Sequence, residues 1–360
     1  MWKKEKRIFW SGIYECNTDS EEYTLCYIEK HSNRENIYNV CLYTNVEALG
    51  NTTLTCEKPK TCLCNNLVSY RGSGEDILNE ANLLLGNNTE LFKGKNLEFY
   101  VVKDYEIYLG DPGHETMQER VIDSEDVQSD GVWMNNEWKS YQCNNSFKNI
   151  NQDLKSCMRH TNISLLGDST FRQWFHELVN IYNGDRYENA LQMFHRVEDY
   201  DIDITFNFHP LCILSEQRII PFANMQFEGD LIREMSDCNR VIVVGPWAHY
   251  GQWTEQSYLD RLYGIKHAVV DFLKRCPEAT VAVKGSHPRN HKSIYFYMFG
   301  NDYIFSEYNI LLYKVFEGSG AVFLDVWDMN LSFYTPNKLH MPRDVIRQEM
   351  NLLFGCHICR

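Results

Sequence analysis

The sequence predicts an α/β domain with a mostly parallel sheet, preceded by a small β-rich region that carries cysteines. After residue 130, strand-like runs alternate with helical runs. Two of the strand-like runs, 241–244 and 321–324, are continuously apolar, which is typical of strands buried on both faces. Near the N-terminus, six cysteines lie among short β-type runs and polar turns, and this predicts disulfides.

The N-terminal region is predicted to cover residues 1–110, and an acidic, weakly apolar linker is predicted over 111–130. The cysteines of this region are Cys16, Cys26, Cys41, Cys56, Cys62 and Cys64. Cys62 and Cys64 are too close in sequence for a comfortable bond to each other, so each is expected to bond elsewhere. Short strands are predicted at 8–10, 23–28, 38–43 and 97–102.

The α/β domain is predicted over residues 131–360. Its strands are predicted at 163–166, 201–207, 240–245, 279–284 and 320–325. Its helices are predicted at 170–182, 226–236, 255–275, 306–317 and 343–355. Because ligands of parallel sheets bind at the carboxyl ends of the strands, the loops that follow these strands are the place to look for chemistry.

The charge composition of the chain restricts the classes of molecule that it is expected to bind. The 360 residues include 49 acidic and 35 basic side chains, for a formal net charge of −14. This balance disfavours a nucleic acid or an anionic membrane surface as partner. No apolar run is long enough to span a membrane.

Thirteen cysteines and five Asn-x-Ser/Thr acceptors indicate the secretory pathway, in the Golgi lumen or outside the cell. The acceptors are Asn51, Asn87, Asn144, Asn162 and Asn330. The first seven residues lack the apolar segment of a signal peptide, which predicts a chain truncated at its N-terminus. The alternative is a cytosolic protein whose cysteines stay reduced.

The candidate nucleophile is Ser169, where Gly167-Asp168-Ser169 joins a strand to a helix. A serine at this junction stands at the end of the strand, and the unpaired N–H groups of the first helical turn can stabilise an oxyanion. The alternative interpretation is that Asp168 or Ser169 is only a helix N-cap.

A nucleophilic serine needs a base and a group that orients the base. His340, in a loop before the last helix, is the candidate base. Asn337, Asp325 or Asp328 could orient its ring. Cys356-His357-Ile358-Cys359 offers half of a zinc site, but a disulfide from Cys356 or Cys359 to an upstream cysteine is favoured. No metal or organic prosthetic group is expected.

These motifs resemble the SGNH hydrolases. Residues 167–174, Gly-Asp-Ser-Thr-Phe-Arg-Gln-Trp, resemble the PC-esterase branch, which includes sugar O-acetyltransferases. The whole of 130–360 is most similar to the neurexophilin and PC-esterase domain (NXPE) family, and residues 1–70 resemble the tail of the neurexophilin-like region. The family's signature residues are matched by Gly131-Val132-Trp133, Trp138, Cys143, Cys157, Asp325-Val326-Trp327-Asp328, Asn337-Lys338-Leu339-His340 and Cys359.

The resemblance implies a three-layer SGNH-hydrolase-like domain with Ser169 as nucleophile and His340 as general base. It places the oxyanion hole at the backbone N–H groups of Ser169 and Gly245. His249 would replace the asparagine that many SGNH enzymes use, and Arg172 would bind a substrate carboxylate or carbonyl, or else form a surface ion pair. The pattern has Asp three residues before the histidine, where this chain has Asn337.

The expected function is therefore serine-dependent transfer or removal of an acyl group, such as acetyl, at a carbohydrate hydroxyl of a glycan or glycoprotein. In the transfer reaction a donor such as acetyl-CoA would be a co-substrate. The alternative is a secreted glycoprotein of neurexophilin-like type with a degraded active site, which binds an extracellular protein partner.

Overall fold

The N-terminal region is β-rich, as predicted, and its described strands form an antiparallel sheet. The computed structural model describes residues 8–16, 21–28, 39–44, 53–72, 130–185, 187–188, 190–211, 219–253, 255–289, 300–333 and 339–359. The strands are β1 (Ile8–Glu15), β2 (Glu21–Ile28), β3 (Val40–Tyr43), β4 (Leu54–Glu57) and β5 (Leu67–Gly72). Their order in space is β5-β1-β2-β4-β3. The predicted strand 97–102 and all of the predicted linker except Asp130 lie outside the described residues.

Disulfides cross-link this small sheet. Cys16 bonds Cys62, Cys26 bonds Cys56, and Cys41 bonds Cys64. The prediction that Cys62 and Cys64 bond elsewhere is confirmed. The bonds close loops of tens of residues, which lowers the entropy of the unfolded chain where the core is small.

The second region is an α/β domain around a mostly parallel sheet, which confirms the predicted fold class. It begins with a hairpin of β6 (Gly131–Met134) and β7 (Glu137–Ser140). The strands of the central sheet are β8 (Asn162–Gly167), β9 (Gln192–Val197), β10 (Ile202–Phe208), β12 (Arg240–Val244), β13 (Thr280–Lys284) and β14 (Val322–Leu324). Their order in space is β14-β13-β12-β8-β10-β9. The pairings are parallel except that between β9 and β10.

Helices cover both faces of the sheet. They are α1 (Ile150–Cys157), α2 (Ser169–Ile181), α3 (Glu228–Glu234), α4 (Glu255–Arg275), α5 (Asp302–Phe316), α6 (Trp327–Ser332) and α7 (Arg343–Leu353). One core joins α1, α2 and α7 to the sheet, and the other joins α3, α4 and α5 to its opposite face. Within the described ranges, no helix is both long and apolar enough to cross a membrane.

The two regions share a core and a sheet. Strand β11 (Ile220–Pro221), which lies in sequence between β10 and α3, pairs with β5 and extends the N-terminal sheet. The Tyr70 hydroxyl accepts a hydrogen bond from the Leu211 N–H at 2.9 Å. Buried residues of the N-terminal sheet, such as Tyr14 and Leu54, belong to the same apolar cluster as α4 and α5.

Disulfides also fasten the end of the chain. Cys356 bonds Cys143 and Cys359 bonds Cys157, so both of the last cysteines pair with upstream ones, as favoured from the sequence. A further bond joins Cys238 to Cys276, and Cys212 lies outside the described residues. The half zinc site at 356–359 is therefore excluded, since its two thiols are used.

Candidate active site

Asp168 holds the turn between β8 and α2. Its carboxylate is fully buried and accepts hydrogen bonds from the backbone N–H and the hydroxyl of Thr170, each at 2.7 Å. Its other oxygen accepts the N–H of Ala248 at 3.2 Å, which joins the turn to the loop after β12. Asp168 is thus the N-cap of α2. The cap and the candidate nucleophile are different residues, so Ser169 remains available at the first helical position.

The structure brings Ser169 and His340 together. The His340 Nε2 lies 2.8 Å from the Ser169 Oγ, a hydrogen-bond distance, although 171 positions separate the two residues. His340 is exposed, but partial desolvation of its ring by the atoms around it lowers its pKa; the positive charges of Arg172 and Arg289 lower it further, while Asp168 acts in the opposite direction. The imidazole therefore favours its neutral form, in which Nε2 can accept the serine proton.

Asn337, Asp325 and Asp328 were the residues predicted to orient the His340 ring. Asn337 lies outside the described residues. Asp325 accepts the Trp327 N–H at 2.9 Å at the start of α6, and Asp328 accepts the Asp130 N–H at 3.1 Å. The carboxylate whose charge acts on the pKa of His340 is Asp168.

One N–H of the first turn of α2 has the position that an oxyanion donor would need. The Thr170 N–H donates to the Asp168 carboxylate, and the Phe171 and Arg172 N–H groups donate to the Asp168 carbonyl. The Ser169 N–H has no acceptor among the described residues. A preorganised N–H beside a nucleophilic serine is what a tetrahedral intermediate would require.

Gly245 does not provide the second donor that the resemblance implied. Its N–H donates to the Leu166 carbonyl at 2.9 Å and continues the pairing of β12 with β8. A Cβ at this position would lie 2.0 Å from Cε2 of Phe171. The glycine is required because the Phe171 ring, in the first turn of α2 after Ser169, packs directly on its backbone.

His249 and Arg172 lie near the pair, as expected from the sequence. The His249 ring packs against Phe208 and His209, with ring centroids 5.6 and 5.1 Å away. Burial holds the pKa of His249 well below its usual range, and the charges of neighbouring basic groups, including Arg172, act in the same direction. A neutral His249 can donate one hydrogen bond but adds no positive charge. The Arg172 guanidinium lies 5.9 Å from the Phe208 ring.

Sequence reasoning missed three basic residues around the site: His209, His287 and Arg289. The two histidines share a local structure, because each follows a strand, precedes a proline and directs Nδ1 at the carbonyl of that proline at 3.0 Å. All three side chains are buried. The repeated His-Pro dipeptide after β10 and β13 was the available signal.

Side-chain contacts between α2 and the last part of the chain hold His340 in place. The Gln173 side chain donates to the carbonyl of Met341, the residue after His340, at 2.9 Å. Glu177 accepts hydrogen bonds from Arg343 and Arg347 at 2.7 and 2.6 Å. The helix that starts at Ser169 is thereby fixed to the segment that follows His340.

A buried polar cluster also links α2 to α7. Glu349 of α7 accepts hydrogen bonds from the Trp174 indole at 2.8 Å and from the Asn330 amide at 2.9 Å. The Lys284 ammonium lies 3.6 Å from the Glu349 carboxylate, and both side chains are 1% exposed. This cluster connects α2, α6, α7 and β13 beneath the Ser169–His340 pair.

The cluster corrects one of the glycosylation predictions. The Asn330 side chain is completely buried, and its amide donates to the Val326 carbonyl at 2.7 Å and to Glu349. A glycan on this nitrogen is incompatible with the fold.

The other predicted acceptors differ in their surroundings. Asn162 is half-buried, and its amide donates a hydrogen bond to Asp237 at 2.6 Å, whereas Asn144 is exposed. Asn51 and Asn87 lie outside the described residues.

Two comparisons with known proteins bear on this domain. Residues 138–359, more than half of the chain, match a family model described as the C-terminal domain of NXPE family member 4-like proteins. The chain is also similar to a solved candidate SGNH hydrolase from Slackia heliotrinireducens, with a TM-score of 0.36 and 13% identity, over 54% of this chain and 98% of that one. A similarity at that TM-score decides nothing about the site.

Proposed function

The chain belongs to the NXPE family, and from this premise we propose that it is a serine-dependent esterase or acyltransferase. The observation that carries the proposal is the 2.8 Å distance between the Ser169 Oγ and the His340 Nε2. A serine hydroxyl is a weak nucleophile at neutral pH unless a base within hydrogen-bond reach removes its proton. His340 is within reach, and its lowered pKa keeps it neutral for that role.

In the first half of the reaction, the Ser169 Oγ attacks the carbonyl carbon of an acyl donor while its proton passes to the His340 Nε2. The carbonyl oxygen becomes an oxyanion that accepts the Ser169 N–H. The intermediate collapses, the bond to the leaving group breaks, and His340 protonates that group. The product is acyl-Ser169 with a neutral His340.

In the second half, a hydroxyl attacks the acyl carbon, its proton moves to His340, and Ser169 leaves and regains that proton. Water in this step gives an esterase, and a sugar hydroxyl gives a transferase. We propose acetyl as the acyl group and a carbohydrate hydroxyl of a glycan or glycoprotein as the site of action, with acetyl-CoA or a similar donor for transfer. The disulfides are consistent with a place in the secretory pathway, in the Golgi lumen or outside the cell.

A fluorophosphonate probe tests the nucleophile, because its phosphorus accepts the serine oxygen in place of an acyl carbon. Wild-type protein should be labelled at Ser169, and both Ser169→Ala and His340→Gln should lose at least ~100-fold in labelling rate, in line with the contribution of a general base. Ser236→Ala and His160→Gln are matched controls at exposed positions. Both should label like wild type.

Thermal melting of each variant separates loss of the nucleophile from loss of folding. If well-folded wild-type protein is not labelled, or if Ser169→Ala labels normally, the catalytic proposal is wrong. The protein is then better described as a secreted binding protein with an extracellular partner.

A further inference from the structure

An open cleft lies where the N-terminal sheet meets the α/β domain. Its volume is about 620 Å³, within the range of about 300–1,000 Å³ that is usual for small-molecule sites. Its lining includes Tyr70 of β5, residues of β11 and residues 207–210 at the carboxyl end of β10. Tyr70 is the described residue of the N-terminal region that lines the cleft, and β11 pairs with the strand that carries it.

The cleft adjoins the nucleophile. Phe208, in its wall, pairs in register with Gly167, two residues before Ser169. The next wall residue, His209, donates its backbone N–H to the Gly167 carbonyl at 2.9 Å. The Phe208 ring also packs on His249, and the Arg172 guanidinium lies 5.9 Å from the Phe208 ring centroid. A ligand in the cleft would therefore lie beside the turn that holds Ser169.

The lining suits a hydroxyl-rich ligand without charge. None of the described residues that line the cleft is acidic, Lys or Arg, and its polar side chains include the amides of Gln192, Asn207, Asn224 and Gln226. An amide carries donors and an acceptor, which matches hydroxyl groups. The Gln226 NH₂ group also donates to the Glu234 carboxylate at 3.2 Å, which orients that side chain. Aromatic rings of Phe208 and Tyr70 add the flat apolar surfaces on which the C–H faces of a sugar can pack.

His209 shapes this wall rather than offering it a polar contact. Its buried ring packs against Tyr250 and His249, with ring centroids 4.9 and 5.1 Å away. Its Nδ1 lies 3.0 Å from the Pro210 carbonyl, and its Nε2 is buried. The polar contacts to a ligand therefore fall to the amide side chains of the lining.

We propose that this junction cleft is the acceptor subsite, which binds an uncharged, hydroxyl-rich part of a glycan. The proposal rests on the proposed function, since it takes acyl-Ser169 as the group that the acceptor meets. A hydroxyl of the bound sugar attacks the acyl carbon, its proton passes to His340, and Ser169 is released. The N-terminal sheet then takes part in acceptor binding but not in formation of the acyl-enzyme.

Saturation-transfer NMR on the full chain tests the cleft without requiring catalysis. The probes are lactose, N-acetyllactosamine and maltotriose, with galacturonic acid as a charged comparison. Wild-type protein should give saturation transfer to at least one neutral sugar. Asn224→Trp, which fills the cleft from an exposed position, should weaken that binding at least tenfold. Asn239→Trp, at an exposed position away from the cleft, should bind like wild type.

Fluorophosphonate labelling of the same variants separates the two proposals. Asn239→Trp should label within twofold of wild type, and labelling of Asn224→Trp at Ser169 shows that this variant is folded, because the probe needs only Ser169 and His340. No transfer to any neutral sugar, binding of galacturonic acid alone, or unchanged binding by Asn224→Trp would each overturn the subsite. Failure of labelling in wild type counts against the nucleophile and leaves the binding result to decide the cleft.

Discussion

Replacing Glu349 by glutamine should destabilise the protein strongly, although the two side chains have the same shape. The carboxylate faces three donors: the Trp174 indole, the Asn330 amide and the Lys284 ammonium. A glutamine oxygen can accept from one of the first two, and its NH₂ group then opposes the other. The substitution also leaves the Lys284 charge buried without a counter-charge.

The expected loss of stability in Glu349→Gln follows from the ion pair and the hydrogen bond that the substitution removes. Removing one partner of a buried ion pair costs about 3–5 kcal/mol, and this figure includes much of the penalty for the unpaired donor. Denaturant unfolding should show this loss for Glu349→Gln. The double variant Lys284→Met/Glu349→Gln removes the stranded charge and should recover more than half of it.

The control for this cycle is Glu307→Gln, the same chemical change on the exposed face of α5, which should alter stability by less than about 0.5 kcal/mol. Because Glu349 also fixes α7 to α2, the labelling rate of Ser169 should fall in Glu349→Gln and recover in the double variant. The reasoning is refuted if Glu349→Gln unfolds within about 1 kcal/mol of wild type, or if the double variant is no more stable than the single one.

Three further predictions concern the site and its surroundings. The labelling rate of Ser169 should rise with pH and level off with an apparent pKa below 6.5, since the lowered pKa keeps His340 deprotonated at more acidic pH; an apparent value above 6.5 would contradict this. Gln173→Leu, which removes the hydrogen bond to the Met341 carbonyl, should slow labelling about tenfold with little change in melting temperature, and equal rates would show that the bond does not position His340. Ser332→Ala, which destroys the acceptor sequence at the buried Asn330, should leave the glycan mass of protein secreted from cells unchanged, and any loss of mass would show that Asn330 is used.

The fold was largely predictable because its parallel strands are short, apolar and separated by helices of clear period. The runs at 163–166, 240–245 and 279–284 lie within a residue or two of β8, β12 and β13. Helix 255–275 matches α4 at both ends. The strands are buried on both faces, and the helix is buried along one continuous stripe. The apolar pattern of the sequence therefore matches the burial of these elements in the structure.

The missed elements are those whose pattern is weak without their partners. The hairpin of β6 and β7 has strands of only four residues, and α1 has eight. Strand β9 is an edge strand in which Phe194 is exposed, so its apolar residues do not mark one face. Pairing and packing, rather than local sequence, define these segments.

The site was predictable in part for a similar reason. Strand ends and the helix start bring Ser169 and His340 to the same edge of the sheet, and motif and topology were enough to predict that. The hydrogen-bond partners of the backbone groups around the site could not be predicted in this way. Whether the Gly245 N–H is free depends on the register of β12 against β8, which spacing along the chain does not reveal.

Gly245 shows how a motif residue can matter for a reason other than the expected one. Phe171 is fully buried, and its ring occupies the space where a Cβ of residue 245 would lie. Gly167 faces the same ring, with a Cβ contact of 2.8 Å to Cδ2. Two strand-end glycines thus admit one aromatic ring beneath the first turn of α2. This packing sets the height and angle at which the turn leaves the sheet, and with them the position of the Ser169 Oγ relative to His340. In the proposed mechanism the oxyanion N–H and the nucleophile come from the same residue, Ser169, so any shift of the turn moves both together.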